Sequence, residues 1–221
     1  WRRVYLELAV LMKEAGLDPY LQFGEVQWWY FPNASGMPYY DSATRDEFRA
    51  LYGRDPAIIE SNDADPEAYP DEAAFFAGLV GRFTEEIVKY VRQDVPECRF
   101  EVLYPTDVNV PRFNRAVNLP VSYWNNLTLD SFKTENFTFT LGRDLNKARH
   151  GLETSRQLGF PSGSRLHLVG LSDPTAPWLK EARLARADGV GQVVLFALDQ
   201  LCLVGYLLPL ARGLRRATRR R

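Results

Sequence analysis

The stretch that decides the fold is the first strongly apolar run, which reads PYLQFGEVQWWY at residues 19–30. Residues 4–15, just before it, place apolar side chains at helical spacing, and this pattern stops at Gly16. A short run that is apolar on both faces, directly after a helix, is typical of a strand in a parallel sheet. We therefore predict a helix–strand unit at the start of the chain.

The same alternation of helix and strand continues along the rest of the chain. We predict further strands at residues 99–104, 119–124, 165–170 and 191–198. We predict helices at residues 41–52, 71–93, 145–158 and 177–187, the first of them capped by Asp41 and ended by Gly53. Most connections contain a helix of more than ten residues, which favours parallel pairing through right-handed crossovers.

Two parallel architectures fit such an alternation. A doubly wound nucleotide-binding sheet needs a glycine-rich turn, and neither GxGxxG nor GxxxxGKS occurs. A (βα)₈ barrel places polar and aromatic residues after its strands, as this sequence does five times. The predicted fold is therefore α/β, an incomplete TIM-like barrel of five strands. Residues 1–210 form this partial barrel domain and residues 211–221 a disordered basic tail.

Charge and cysteine usage narrow the classes of function. The 221 residues include 27 basic and 28 acidic ones, a formal net charge of −1 that does not suggest general nucleic-acid binding. Cys98 and Cys202 have no metal-ligand spacing, and we predict no cofactor, no metal site and no disulfide. The apolar stretch at residues 190–210 is interrupted by polar residues, so we predict no membrane span. No signal peptide is visible, and the sequence assigns no compartment.

Aromatic residues make up 13% of the chain, and many of them fall at strand ends or in the loops that follow. Flat aromatic faces pack well against sugars, and polar side chains at the same edge can bind sugar hydroxyls. On this basis we predict a carbohydrate site formed by nine residues: Trp28, Trp29, Tyr40, Asp107, Asn109, Tyr123, Trp124, Asn125 and Trp178. We expect Trp28, Tyr39, Tyr123, Trp124 and Trp178 to lie around one pocket.

The first half of the chain also resembles a known family, and the rest resembles it in topology. Glu25 follows a buried strand, Trp28-Trp29-Tyr30 comes next, and Gly36-Met37-Pro38-Tyr39-Tyr40-Asp41 leads into a helix that ends at Tyr52-Gly53. This arrangement is similar to the clan of retaining barrel glycoside hydrolases that includes the barrel-type β-galactosidases. The resemblance implies a hydrolase, a glycosidase that uses two carboxylates and forms a covalent intermediate.

The resemblance also implies roles for particular residues. In that clan the acid/base glutamate follows the fourth strand, which would be Glu25, so the five strands would be the fourth to the eighth. The nucleophile follows the seventh strand, where Asp173 stands, and Asp199 after the last strand is the alternative second carboxylate. We expect the Glu25 carboxyl group to be partly buried, with its pKa raised above the ordinary value of about 4.3.

A second interpretation belongs to another class of protein. The chain would then be a non-catalytic carbohydrate-binding or structural barrel module of a virion or cell-surface assembly. Its partners would be carbohydrate together with a missing N-terminal barrel segment or another protein chain. The chain opens inside a helix at Trp1 with no initiator methionine, so we expect upstream sequence to have been removed. A second carboxylate close to Glu25 would favour the hydrolase over the module.

Overall fold

The computed structural model describes residues 1–28, 39–170, 173 and 175–203. Five strands alternate with eight α-helices in this part of the chain. In chain order they are α1 (Arg2–Glu14), β1 (Tyr20–Phe23), α2 (Ser42–Tyr52), α3 (Pro70–Asp94), β2 (Arg99–Pro105), α4 (Arg112–Asn118), β3 (Ser131–Glu135), α5 (Phe137–Leu141), α6 (Leu145–Gln157), β4 (Arg165–Gly170), α7 (Trp178–Ala187), β5 (Gln192–Phe196) and α8 (Leu198–Leu203).

The strands form one parallel sheet in the order β1-β2-β3-β4-β5, so each strand pairs with its neighbour in sequence. The sheet curls into a half-barrel, and helices such as α1, α3, α6 and α7 pack on one face. The predicted α/β class and parallel pairing are confirmed. Parallel pairing follows from the helical crossovers, because two parallel strands cannot be joined by a tight turn.

The main core lies between the sheet and its helices. Phe23, Phe100 and Phe132 project from the first three strands toward the helices, and all three side chains are fully buried. The Phe23 and Phe100 rings stack with centroids 5.5 Å apart. Val91 of α3 is fully buried in the same cluster. Apolar residues at every second strand position therefore fix which face of the sheet the helices cover.

The helix predictions agree with the structure to within a few residues at each end. The predicted cap of α2 is confirmed: Asp41 Oδ1 accepts a hydrogen bond from Thr44 N–H at 3.0 Å, and Gly53 ends the helix with φ 70°. Glycine tolerates this left-handed conformation because it lacks a Cβ atom. The predicted strands at 99–104 and 165–170 are likewise confirmed as β2 and β4.

The predicted strand at residues 119–124 is wrong. This segment forms turns after α4, and the third strand is Ser131–Glu135. The error arose because Trp124 is an aromatic residue that a loop, not a strand, inserts into the core. Its indole N–H donates to Thr84 Oγ1 at 3.0 Å, so the loop is held against α3.

The predicted strand at residues 19–30 is too long. The strand β1 ends at Phe23, and the chain turns at the next residues, where Val26 N–H donates to the carbonyl of Gly24 at 2.7 Å. The run stays apolar because Val26 and Trp28 pack against the core from the loop. Apolar character alone does not separate a strand from a buried loop.

Several predicted features fall outside the described residues, namely Trp29, the segment Gly36-Met37-Pro38, the end of the apolar stretch at 204–210 and the basic tail at 211–221. Of the helices that the structure does describe, none has the length and apolarity needed to cross a bilayer.

Candidate functional site

The carboxyl edge of the sheet is where the sequence places its candidate residues. Glu25 follows β1, and its side chain is exposed because the turn at Gly24 directs it away from the core. The expectation of a partly buried Glu25 is therefore wrong. Asp107 follows β2 and caps α5: its Oδ2 accepts the N–H of Thr138 at 2.7 Å, and its Oδ1 accepts the N–H of Val108 at 3.0 Å.

Asn109 belongs to a buried network of asparagines that joins the loops after β1 and β2. Its Oδ1 accepts hydrogen bonds from Asn114 Nδ2 at 3.1 Å and from Asn118 Nδ2 at 2.9 Å. Asn118 also clamps the backbone of Trp28, accepting its N–H at 2.6 Å and donating to its carbonyl at 2.8 Å. Buried amides are costly unless bonded, and here they satisfy one another. The network fixes the position of the loop after β1.

The aromatic candidates near this loop are held by the fold. Trp28 is half-buried, donates its indole N–H to the carbonyl of Phe76 at 3.0 Å, and packs edge-on against Tyr39. The hydroxyl of Tyr40 donates to the carbonyl of Ala57 at 2.7 Å and accepts the N–H of Ile59 at 2.6 Å. The polar atoms of Trp28 and Tyr40 therefore have partners within the chain.

Four other predicted binding residues lie elsewhere. Trp124 is fully buried under the helix α3, and Trp178 is buried at the start of α7, packed with Val169. Tyr123 and Asn125 are half-buried beside Trp124, in the turns before β3. These residues do not share a pocket with Trp28. The expectation of one pocket lined by all the aromatic residues is wrong, because the loop that carries Tyr123 and Trp124 packs beneath the helices.

The two predicted second carboxylates, Asp173 and Asp199, lie at solvent-accessible positions. Asp173 is half-exposed and accepts the N–H of Thr175 at 2.7 Å, and this hydrogen bond lowers the pKa of its carboxyl group. Asp199 is exposed in the first turn of α8. Neither has the surroundings that a desolvated catalytic carboxylate needs.

Another carboxylate, which was not predicted, lies at the carboxyl edge of the sheet at the end of β3. Glu135 is the last residue of β3, only 7% exposed, and its carboxyl group has no hydrogen bond or ion pair among the residues the structure describes. Burial raises the pKa of Glu135 to about 7, helped by the negative charges of Glu25, Asp107 and Glu181. Glu135 was not among the predicted residues because the third strand was predicted at residues 119–124 instead of Ser131–Glu135. The run SFKTE has too few apolar residues to mark a buried strand.

The sheet face opposite the helices carries a second polar group that the sequence did not predict. Lys133 of β3 pairs with Glu101 of β2, and both side chains are almost fully buried. Lys133 Nζ also donates to Gln22 Oε1 at 2.8 Å, and the hydroxyl of Tyr20 donates to Glu101 Oε2 at 2.7 Å. A buried ion pair of this kind persists because further hydrogen bonds satisfy both charges.

Two separate depressions contain candidate residues. A groove of about 1030 Å³ lies between α1, α2, α3 and the turn after β1, and Glu25 and Trp28 contribute to its wall. Asn109 instead lines a smaller depression of about 340 Å³ near His150. No group of three or more acidic, histidine or cysteine side chains within the described ranges is placed to hold a metal ion. Glu25 and Trp28 therefore line a different depression from Asn109.

A comparison with protein-family models identifies the family of the chain. The family model described as "Non-contractile tail sheath protein TIM barrel" matches residues 1–206. The chain belongs to this family. No curated protein matches the chain. The nearby carboxylate that would favour a hydrolase is Glu135, whose pKa is raised by burial and by the charge of Glu25, but the family model matches a tail sheath barrel instead.

The tail sheath family overturns the resemblance to glycoside hydrolases. The hydrolase and glycosidase assignments are wrong, whereas the barrel assignment stands. The resemblance rested on a strand end with a glutamate followed by tryptophans. In the structure this glutamate is exposed and Trp28 is hydrogen-bonded into the fold. Trp28 therefore packs the loop after β1 into the fold, although its sequence context is similar to that of a glycosidase.

Proposed function

We propose that this chain is a structural barrel module of a virion tail sheath and that it functions by associating with other protein chains. The observation that carries the proposal is the match of the tail sheath barrel family to residues 1–206. The residues predicted to bind sugar support it, because the polar atoms of Trp28, Tyr40 and Asn109 are bonded within the chain. Protein, rather than carbohydrate, is the proposed partner.

The edges of the sheet also support association. Among the described residues, β1 pairs with β2 alone and β5 with β4 alone. The side chain of Tyr5 partly covers the free side of β1, since its hydroxyl donates to the carbonyl of Gln22 at 3.2 Å. Along β5, Gln192 and Phe196 are exposed and the residues between are half-buried. A free strand edge presents unpaired backbone groups that another chain segment can bind.

The position of the strands in a complete barrel is also part of the proposal. A closed TIM barrel has eight parallel strands, and β1 to β5 run in sequential order as consecutive strands of such a barrel do. We assign them as the fourth to the eighth strands, with residues 1–210 as one module. Closure then requires further strands at the free edges of β1 and β5.

Immunogold labelling of intact virions tests the function. Antibodies against the purified 221-residue chain should decorate the tail along its length in electron micrographs, and pre-immune serum should not. Labelling confined to the capsid, or absent from virions that contain the protein by immunoblot, would contradict a role in the sheath.

A matched pair of variants tests the edge of β5. Phe196→Asp places a charge on a half-exposed residue beside the free edge, and Val121→Asp places one on a similarly exposed residue in a distant turn. We expect Phe196→Asp alone to reduce incorporation into tails. Equal incorporation of both variants would show that the edge of β5 makes no contact.

A further inference from the structure

The smaller depression, of about 340 Å³, lies on the helix-covered side of the sheet between α4 and α6. The strand behind it is β2, which is paired on both sides. Gly151 lets α6 approach the end of this strand closely, since a Cβ atom there would overlap Thr106 Oγ1. The depression therefore lies away from the free edges of the sheet, where a complete barrel would add strands.

Two buried hydroxyl groups at this depression have no hydrogen-bond partner among the described residues. One belongs to Tyr104 of β2, which is 2% exposed. The other belongs to Thr154 of α6, which is 7% exposed. Burial raises the pKa of Tyr104, against a smaller opposing effect of the positive charge of Arg115, so its hydroxyl stays protonated and can donate. Buried polar groups are nearly always paired, so two unpaired hydroxyls beside one cavity point to a ligand that accepts their hydrogen bonds.

Cationic side chains lie at the mouth of the same depression. Arg115 of α4 is exposed, and its guanidinium forms no hydrogen bond or ion pair with any residue that the structure describes. Lys147 of α6 has only a weak partner, because its Nζ lies 3.4 Å from Asp144 Oδ2 and both side chains are exposed. The Glu153 carboxylate also lines the depression, but its charge is offset by Arg156, 3.5 Å away. The mouth therefore carries a net positive charge.

We propose that this depression binds the phosphate group of a small molecule. A phosphate group has several oxygen atoms in a tetrahedral arrangement and accepts hydrogen bonds from several directions at once. The hydroxyls of Tyr104 and Thr154 donate to it from the floor, and Arg115 donates from the mouth, where the fork of the guanidinium matches phosphate oxygens. Lys147 adds a second positive charge. A carboxylate has only two oxygens and leaves some of these donors unused. The site goes beyond the proposed sheath function and does not depend on it.

The size of the depression bears on what carries the phosphate group. Its volume of about 340 Å³ falls at the lower end of the range for small-molecule sites, roughly 300–1,000 Å³, and exceeds what a phosphate ion alone fills. The half-buried ring of Phe139 lines the same depression and offers an apolar surface to an organic group. A free phosphate ion and a phosphate monoester share the recognition chemistry, and the two are separated by titration.

Titration calorimetry with the purified 221-residue chain tests the site. Inorganic phosphate should bind saturably with one site per chain, and acetate at the same ionic strength should bind at least tenfold more weakly. Phenyl phosphate is the probe for a monoester. We expect it to bind at least threefold more tightly than inorganic phosphate, whereas equal affinity would assign the free ion. Absence of saturable binding of both phosphates, or acetate binding as tight as phosphate, would overturn the proposal.

Matched variants locate the binding. Arg115→Gln should weaken phosphate binding at least tenfold. Tyr104→Phe and Thr154→Val remove only a hydroxyl while keeping the shape of the side chain, and each should weaken binding at least threefold. The control is Arg149→Gln, which removes the same charge from an exposed position of α6 outside the depression and should leave the affinity unchanged. Circular dichroism checks that each variant is folded, and Arg115 is exposed, so its variant remains informative if Tyr104→Phe is unstable. Equal weakening by Arg115→Gln and Arg149→Gln would reduce the effect to general charge and refute the site.

Discussion

Adjacent residues of one strand lie on opposite faces of the sheet and have different kinds of neighbours there. Phe132 and Lys133 are neighbours in β3, yet Phe132 enters an aromatic cluster under the helices and Lys133 joins an ion pair on the opposite face. The helix-covered face is apolar along β1 and β2, whereas the opposite face carries Glu101, Lys133 and Glu135. The alternation of side chains along a strand produces this division.

Polar side chains are buried on both faces of the sheet, and their hydrogen-bond or ion-pair partners differ between the faces. Even the helix-covered face contains a buried polar group at β4, where His167 lies between Thr134 at 2.9 Å and Glu181 at 2.8 Å. There, and at Glu101 with Lys133, each polar group has a partner. Glu135 lacks one among the described residues, so ionisation of its buried carboxyl group is unfavourable in the folded chain.

The largest effect should come from the helix-covered face. Phe132→Ala removes a fully buried ring from contact with Tyr104, Trp124 and Phe160, and should lower the free energy of unfolding by about 4 kcal/mol. Urea denaturation measures the change. Phe83→Ala, at a ring that is 36% exposed, should cost much less. Similar losses for both would mean that the aromatic cluster is not the stable core.

On the opposite face, Lys133→Met leaves the buried Glu101 carboxylate without its cation. The expected loss in unfolding free energy is about 3 kcal/mol, because an uncompensated buried charge is strongly unfavourable. The double variant Glu101→Met/Lys133→Met should recover to within about 1 kcal/mol of the parent, since it removes both charges. A double variant as unstable as the single one would indicate that the two side chains do not act as a pair.

Glu135 should make stability depend on pH. Its pKa in the folded chain is about 7, above the ordinary value of 4.5, so the folded state binds its proton more tightly than the unfolded state does. Stability from this group is full below pH 4.5 and falls as the pH rises through 7. Glu135→Gln should therefore stabilise the chain at pH 8 by roughly 2 kcal/mol and leave it unchanged at pH 4. A variant that is equally stable relative to the parent at both pH values would refute a buried, unpaired carboxyl group.

The smallest effect concerns the influence of Glu25 on Glu135. Burial is the main cause of the raised pKa of Glu135, and the charge of Glu25 is the second. Glu25→Gln should lower the pKa of Glu135 by a few tenths of a unit while leaving the fold intact, because Glu25 is exposed. Carboxyl carbon NMR titration measures this shift. Arg2→Gln, on α1 beside Glu86, serves as a control with no expected shift.

The sequence predicted regular elements well where one physical signal acted alone. The cap at Asp41, the glycine at the end of α2 and the apolar runs of β2 and β4 are local features, and the structure confirms each of them. The prediction failed at β3 because its run SFKTE alternates a phenylalanine with polar residues that are nevertheless buried. No local pattern reveals that Lys133 has Glu101 as a partner.

The glycosidase assignment failed for a related reason. A glutamate after a strand and two tryptophans have the same local appearance in a catalytic cleft and in a packed loop. Only the tertiary structure showed that Asn118 clamps the backbone of Trp28 and that Trp124 reaches Thr84 on α3. Both contacts join residues at least 40 positions apart, so no window of sequence contains them.

By itself, then, the sequence determined the α/β class, the parallel pairing and most helix bounds, because periodicity, capping and helical crossovers act within one segment. The tertiary structure decided which polar residues are buried and with what partner, and therefore that the charge of Glu25 acts on the buried carboxyl group of Glu135 at the carboxyl edge. It also decided that Val4, Leu8 and Leu11 of α1 remain exposed. Burial depends on what packs against a side chain, and that is fixed only when distant segments meet.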